Sequence, residues 1–252
     1  MPDNRPIGFL DSGVGGLSVV RAARAAFPQE NFIMFGDSAN APYGDKPEDE
    51  VRRLTVNAAL TLADENIKAL VIACNTATSA ALQAVRGALS VPVIGMVPAL
   101  DAARALRRTG DILMMATTGT VNGAAFRRVL SAHGDHVIPL ACPGLVDLIE
   151  QGDLDSPAMT ARLSAILTPY RGAPIDVVVL GCTHFPFIRP LIASFFRPDT
   201  AFVDGSAQVI TALNKLMKGG SLIAASAGTG DTRLKTSGSA ATLQLMRRLL
   251  DA

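Results

Sequence analysis

ALVIACNTAT at residues 69–78 and DVVVLGCTHFP at residues 176–186 are two renderings of one pattern. Each runs an apolar, β-branched segment into a small residue, then a cysteine, then polar side chains. Cys74 is followed by Asn75 and Thr76, and Cys182 by Thr183 and His184. A short, unbroken apolar run of this kind reads as a strand buried on both faces of a parallel sheet. Two matching thiols at two matching strand ends imply one reacting centre approached from both sides.

The pattern extends outward from these runs. Val- and Ile-rich segments at 7–10, 31–36, 69–73, 91–95, 111–116, 136–141, 176–181 and 200–203 read as buried strands. Between most of them lie stretches at helical spacing, among them Leu17–Phe27, Glu48–Asn66, Ala77–Leu89 and Pro98–Arg108. The alternation predicts an α/β protein with mostly parallel sheets. A strand, a Gly- or Thr-rich turn and a helix open the chain at GFLDSGVGGLS and recur at DILMMATTGTVNGAAF. Each unit is followed by a cysteine strand, so the chain reads as two similar, pseudosymmetric α/β halves, the second beginning near residue 98.

Composition narrows the function classes. The chain has 252 residues, 49% of them apolar, and 23 basic residues against 22 acidic. No basic patch favours nucleic acid and no charge run suggests a membrane surface. The apolar stretches fall well short of the roughly 20 residues a membrane helix needs. Three cysteines with no C-x-x-C pair make neither a disulfide framework nor a zinc ribbon. MPDNRPIGFLDSG carries no long apolar h-region, and the expected location is the cytoplasm.

In open α/β sheets a ligand sits beyond the carboxyl ends of the strands, where loops enter helix N-termini. Asp11, Ser12, Cys74, Asn75, Thr76, Thr117, Thr120, Cys182, Thr183 and His184 all fall at such places. Free N–H groups and the helix dipole there favour carboxylates. The same setting predicts cysteines that are partly thiolate at neutral pH. Such a site suits proton transfer at a carbon acid: a base on one face, an acid on the other, their roles exchanged for the reverse reaction. Two cysteines supply that pair with no cofactor and no metal. Asp11 and, from the other half, Glu150 or His184 could manage their protons.

DSGVGGLS from Asp11, PYG at Pro42 to Gly44, CNTAT from Cys74, Thr117 with Thr120, ACPGLVDLIEQG from Ala141 and GCTHFPF from Gly181 together resemble the glutamate racemases of the cofactor-independent aspartate/glutamate racemase superfamily, over nearly the whole chain. DGSAQV from Asp204 and KTSGSAATLQLMRRLL from Lys235 resemble the closing segments of that family, which return to the first domain. The resemblance implies a first domain of residues 1–97 with 209–252, a second of 98–208, and an active site between them. It implies that Cys74 and Cys182 exchange protons with opposite faces of the glutamate α-carbon, Asp11 assisting the first thiol, Glu150 and His184 the second. Asp11, Ser12, Pro42, Tyr43, Gly44, Asn75, Thr76, Thr117, Thr120, Thr183 and His184 would hold the substrate. The implied product is D-glutamate for peptidoglycan, and the implied assembly a homodimer. The chain departs from the family habit at Pro47, Ala116 and Phe185, none of them a proposed acid or base. Residues 219–231 match loosely and receive no role.

Other readings compete. Within the same chemistry, an aspartate or other acidic amino-acid racemase shares the two-thiol machinery. From another class, a non-catalytic ligand-binding protein on this scaffold is opposed by intact Cys74, Cys182, Asp11 and His184. G-V-G-G-L-S followed by a strand and Asp37 is similar to a dinucleotide unit, with Asp37 as the ribose acid. Ser18 at the third glycine position and Asp11 before the turn weigh against it. His133 and His136 have no acidic cluster beside them and read as a solvated helix end, and Cys142 reads as structural.

Overall fold

The structure, a computed structural model, describes residues 3–133, 136–219 and 228–251. Nine strands among the described residues form two sheets: β1 (Ile7–Asp11), β2 (Phe32–Gly36), β3 (Ala69–Ile72), β4 (Val93–Gly95) and β9 (Thr232–Thr236) in the first, β5 (Asp111–Ala116), β6 (Val137–Ala141), β7 (Ile175–Leu180) and β8 (Ala201–Asp204) in the second. Every pairing is parallel. The order β4-β3-β1-β2-β9 of the first sheet is echoed by the mirror-written β6-β5-β7-β8 of the second. Setting β5 to β8 against β1 to β4 makes the two four-strand sets identical in topology, so the pseudosymmetry expected from sequence is a property of the fold.

The central strands explain their own burial. IGFLD of β1, ALVI of β3 and IDVVVL of β7 are buried at every position. Parallel strands covered by helices on both faces need such sequences. The Leu17–Ala26 helix buries Leu17, Val20 and Ala23, three residues apart, against the first sheet. Glu48–Ala63 buries Val51, Leu54, Thr55, Ala58, Ala59 and Leu62 and packs on Asn75–Ala88. Glu48, Asp49 and Glu50 fill its first turn, where the positive end of the helix dipole favours acids. Pro47 is its N-cap, a place where a missing N–H costs nothing.

Some boundaries differ from the sequence expectation. The helix expected over 48–66 ends at Ala63, and the one expected over 98–108 is Leu100–Leu106. The helix expected from Ala77 begins at Asn75, because Cys74 itself is the N-cap. β9 was not expected: TRLKT has a single apolar residue, Leu234, its positions alternate between half-buried and exposed as at a sheet edge, and its partner β2 lies far away in sequence. Of residues 219–231, positions 220–227 lie outside the described residues. The Ser206–Gly219 helix packs on Leu17–Ala26, bringing the chain back to the first sheet.

In each sheet the chain reverses its winding once, at β1/β3 and at β5/β7. Those are the two topological switch points, where the loops after neighbouring strands part and leave a crevice. Asp11 ends β1 and Cys74 follows β3, while Thr117 follows β5 and Cys182 follows β7. The topology thus delivers each cysteine to the crevice of its own sheet.

Candidate active site

The two crevices face one another across a single small pocket, about 270 Å³ with its open mouth included. Ser12, Pro42, Tyr43, Gly44, Cys74, Asn75 and Thr76 line it from the first half, and Thr117, Val146, Gly181, Cys182, Thr183 and His184 from the second. Both thiols are unpaired and nearly buried. Among the described residues, neither Lys nor Arg lines the cavity. A bound carboxylate there would be held by hydroxyls, backbone N–H groups and helix N-termini.

Cys74 caps the Asn75–Ala88 helix: Ala77 N–H donates to its sulfur at 3.4 Å, and its thiol approaches Ser12 Oγ at 3.6 Å. Burial, with the nearby Asp11 carboxylate adding to it, pushes this thiol up to about 12. The expectation of a partly thiolate Cys74 is therefore corrected: the helix N-terminus acts on it, but desolvation of a buried sulfur anion is the larger effect. With that value Cys74 is a protonated thiol at neutral pH.

Cys182 stands differently. Its sulfur lies 3.7 Å from His184 Nδ1, and His184 Nε2 lies 2.6 Å from Glu150 Oε1. The imidazole is almost fully buried, and burial opposes its charge, but the Cys182 and Glu150 contacts outweigh this and hold His184 well above the usual imidazole range. Burial likewise opposes the Glu150 charge, and its bonds from His184 and from Val14 N–H carry the carboxyl below its ordinary value. Glu150 closes the Leu145–Glu150 helix of the second half, yet Val14 belongs to the Gly-rich turn of the first. That turn receives the Glu150–His184 pair: a Cβ on Gly13 would lie 1.9 Å from Glu150 Oε1, and one on Gly15 2.3 Å from His184 Nδ1. Ser18 adds a bond to the Thr183 carbonyl at 2.9 Å. The turn thus has its dinucleotide-like glycines occupied by protein side chains.

Asp11 is fully buried and accepts from Gly13 N–H and Thr183 Oγ1, each at 3.0 Å. Burial pushes its carboxyl up to about 6, against the lowering effect of His184 and these bonds. Its side-chain bonds run to the loop of the second cysteine, while its charge acts on the first. Across the cavity, Thr76 Oγ1 lies 3.0 Å from Thr117 Oγ1 and 3.1 Å from Thr120 Oγ1, a hydroxyl cluster that joins the halves. The Asn75 amide is buried and neither its oxygen nor its nitrogen has a partner among the described residues. Buried amides in folded proteins are ordinarily hydrogen-bonded, so this one stands out on the pocket wall.

All the residues assigned to the site from sequence gather here. Asp11, Thr120 and Glu150 stand behind the wall and touch lining groups, whereas the others line the cavity. Val146 and Gly181 also line it and escaped the sequence reading. An apolar helix residue carries no chemical signal, and Gly181 is dictated by packing: a Cβ there would lie 2.1 Å from Met114 Cε. Cys142 is buried at the end of β6, its thiol directed to the Leu140 carbonyl at 3.5 Å. His136 is exposed beside Asp111, and the side chain of His133 lies outside the described residues. Phe185 is buried among apolar side chains, where a tyrosine hydroxyl would need a partner of its own.

The chain is similar to known proteins along most of its length. The Asp/Glu/hydantoin racemase family matches residues 17–213. A glutamate racemase of Clostridium perfringens is 44% identical over 218 residues, covering 85% of this chain and 84% of that protein. A crystal structure of a glutamate racemase isoform from Bacillus anthracis superposes with a TM-score of 0.88 at 30% identity, over 99% of this chain and 95% of the other. A glutamate racemase from Francisella tularensis, crystallised in complex with D-glutamate, superposes with a TM-score of 0.83 at 29% identity, over 99% and 95% of the two chains.

Proposed function

The chain belongs to the Asp/Glu/hydantoin racemase family, and from that premise we propose that it is a glutamate racemase working through two cysteines, Cys74 and Cys182, with no cofactor. The observation that carries the reading is the meeting of both thiols, one from each switch point, on the wall of one pocket between the two halves. Residues 1–97 with 209–252 make one domain and 98–208 the other, with glutamate held between them.

The mechanism follows from the unequal surroundings of the two thiols. Cys182, beside His184, is the base that takes the α-hydrogen of one enantiomer: the C–H bond breaks, the proton moves to sulfur, and the electron pair stays on carbon. The Cys74 thiol gives its proton to the opposite face, closing the new C–H bond and leaving a thiolate. The enzyme then holds the inverse proton arrangement, which the other enantiomer uses in the reverse direction. Ser12, the Thr76–Thr117–Thr120 hydroxyls, Thr183 and the unsatisfied Asn75 amide bind the amino and carboxylate groups and orient the α-carbon between the thiols. Glu150 and Asp11 set the charge around the two thiols from behind the wall. The same reading supplies D-glutamate to peptidoglycan, in the cytoplasm, from a homodimer. Among the described residues no helix is long and apolar enough to cross a membrane.

The test is the circular dichroism of L-glutamate, D-glutamate and L-aspartate with purified protein in heavy water. Decay of both glutamate signals with deuterium entering at the α-carbon is the expected result. Decay with aspartate alone would move the substrate, and no decay with any of the three would defeat the racemase reading.

A further inference from the structure

Asp37 is an acid that the racemase chemistry leaves unused. It follows β2, is almost fully buried and does not line the cavity. Its carboxylate accepts Tyr43 OH at 2.6 Å, Ser237 Oγ at 2.6 Å, and Asn40 Nδ2 at 3.0 Å from each oxygen. The donors are neutral, and the bond from the phenol has the length of a charge-assisted one. Ser237 follows β9, and its oxygen also accepts Ala39 N–H at 3.1 Å. A carboxylate so engaged is committed to the protein and has no free edge for a ribose.

What it holds matters for the site. Tyr43 lines the cavity, with its ring packed in the same core cluster as Cys74. Next to it, Gly44 backs onto the second half: a Cβ there would lie 2.6 Å from Thr117 Cβ, and one on Gly119 would lie 2.6 Å from the Gly44 carbonyl oxygen. The Pro42–Tyr43–Gly44 wall is therefore clamped on one side by Asp37 and on the other by the Thr117–Gly119 turn. A tyrosine has only two side-chain torsions, so packing its ring and bonding its hydroxyl fixes it completely.

We propose that Asp37 is a positioning residue for the reaction: through the Tyr43 hydroxyl it sets the Pro42–Tyr43–Gly44 wall of the cavity, and Ser237 ties that setting to the C-terminal strand. The identity of the ligand rests on the glutamate racemase reading; the Asp37–Tyr43 hold does not.

The chain has no tryptophan and two tyrosines, Tyr43 and Tyr170, which gives a readout independent of turnover. In a Tyr170→Phe background Tyr43 is the single phenol, and a carboxylate that accepts its proton quenches its emission. Asp37→Ala and the shape-preserving Asp37→Asn should both raise that emission. Asp37→Ala, which removes the acceptor of Tyr43, Ser237 and Asn40 together, should raise KM for glutamate by about tenfold, and Asp37→Asn, whose amide oxygen is a weaker acceptor, by less. The pH profile of kcat should stay that of the parent. Tyr43→Phe should raise KM equally, and the Asp37→Ala/Tyr43→Phe double variant no further, because both changes delete the Asp37–Tyr43 bond. Unchanged emission in Asp37→Asn would remove the contact, and an unchanged KM would remove its role in positioning. A shifted kcat profile would make Asp37 a proton carrier instead. If the parent fails to racemise glutamate while the emission responds, the substrate reading falls and the contact stands.

Discussion

Glu150 Oε1 lies 2.6 Å from the Val14 backbone nitrogen, so an acid at the end of a second-half helix is bound to the Gly-rich turn of the first half. The same oxygen holds His184, and His184 faces Cys182. One hydrogen bond thus links the closure of the two halves to the charge of the group beside a thiol.

Gly13→Ala tests that link, because the new methyl would occupy the place of the Glu150 carboxylate. The expected outcome is a folded protein whose kcat falls by about 100-fold, the cost of roughly 1 Å of misplacement at a reacting centre. Steady-state kinetics beside a melting curve decide it, and a parental kcat would show that the pair tolerates displacement.

Cys74→Ala and Cys182→Ala should each abolish racemisation, since each leaves one face of the α-carbon without an acid or base. Cys142→Ala should keep the parental rate and lose about 1 kcal/mol of stability, as for an ordinary buried side chain. Turnover by either of the first two, measured by polarimetry, would sink the two-thiol mechanism.

Thr76→Val removes both hydroxyl contacts to Thr117 and Thr120 while keeping the side-chain shape. At about 1 kcal/mol for each net hydrogen bond, KM should rise roughly 30-fold, with a smaller change in kcat. A KM equal to the parent's would mean that this cluster neither closes the halves nor holds substrate.

Asp11 gives a pH prediction with a definite sign. Its carboxyl stands at about 6 in the folded protein against an ordinary 3.8, so between these values the folded state binds more protons than the unfolded state. Stability from this group is greatest at low pH and falls as pH rises from 3.8 to 6, by about 3 kcal/mol in all. Asp11→Asn cannot titrate there. Chemical denaturation at steps between pH 4 and pH 7 should show the variant gaining on the parent as pH rises; parallel curves would mean that Asp11 is ionised in the fold as it is in water.

The Cys74 and Cys182 strands were legible because a strand buried on both faces must be apolar at every position, a pattern that needs no knowledge of its neighbours. β9 was not legible, because an edge strand is half exposed and its identity depends on the distant β2. The gathering of Cys74, Asn75, Thr76, Cys182, Thr183 and His184 at strand ends was legible from chain order alone. The rank of Asp11, Thr120 and Glu150 behind the cavity wall was not, since hydrogen-bonding direction is a property of packed side chains. Nor was the use of Asp37, whose partners Tyr43 and Ser237 meet only after β9 has joined the sheet.

The sequence by itself determined an α/β chain of two like halves, each delivering a cysteine to the carboxyl end of a buried strand, because periodicity and chain order are local. Only the tertiary structure decided how those thiols differ. Cys74 is held protonated by burial and the charge of Asp11, while His184 beside Cys182 is raised well above the usual imidazole range, against its burial, by its contacts with Cys182 and Glu150. Desolvation and Coulomb interactions depend on what surrounds a group in space: Asp11, from the end of a neighbouring strand, acts on Cys74, and Glu150, from a helix, reaches Cys182 through His184.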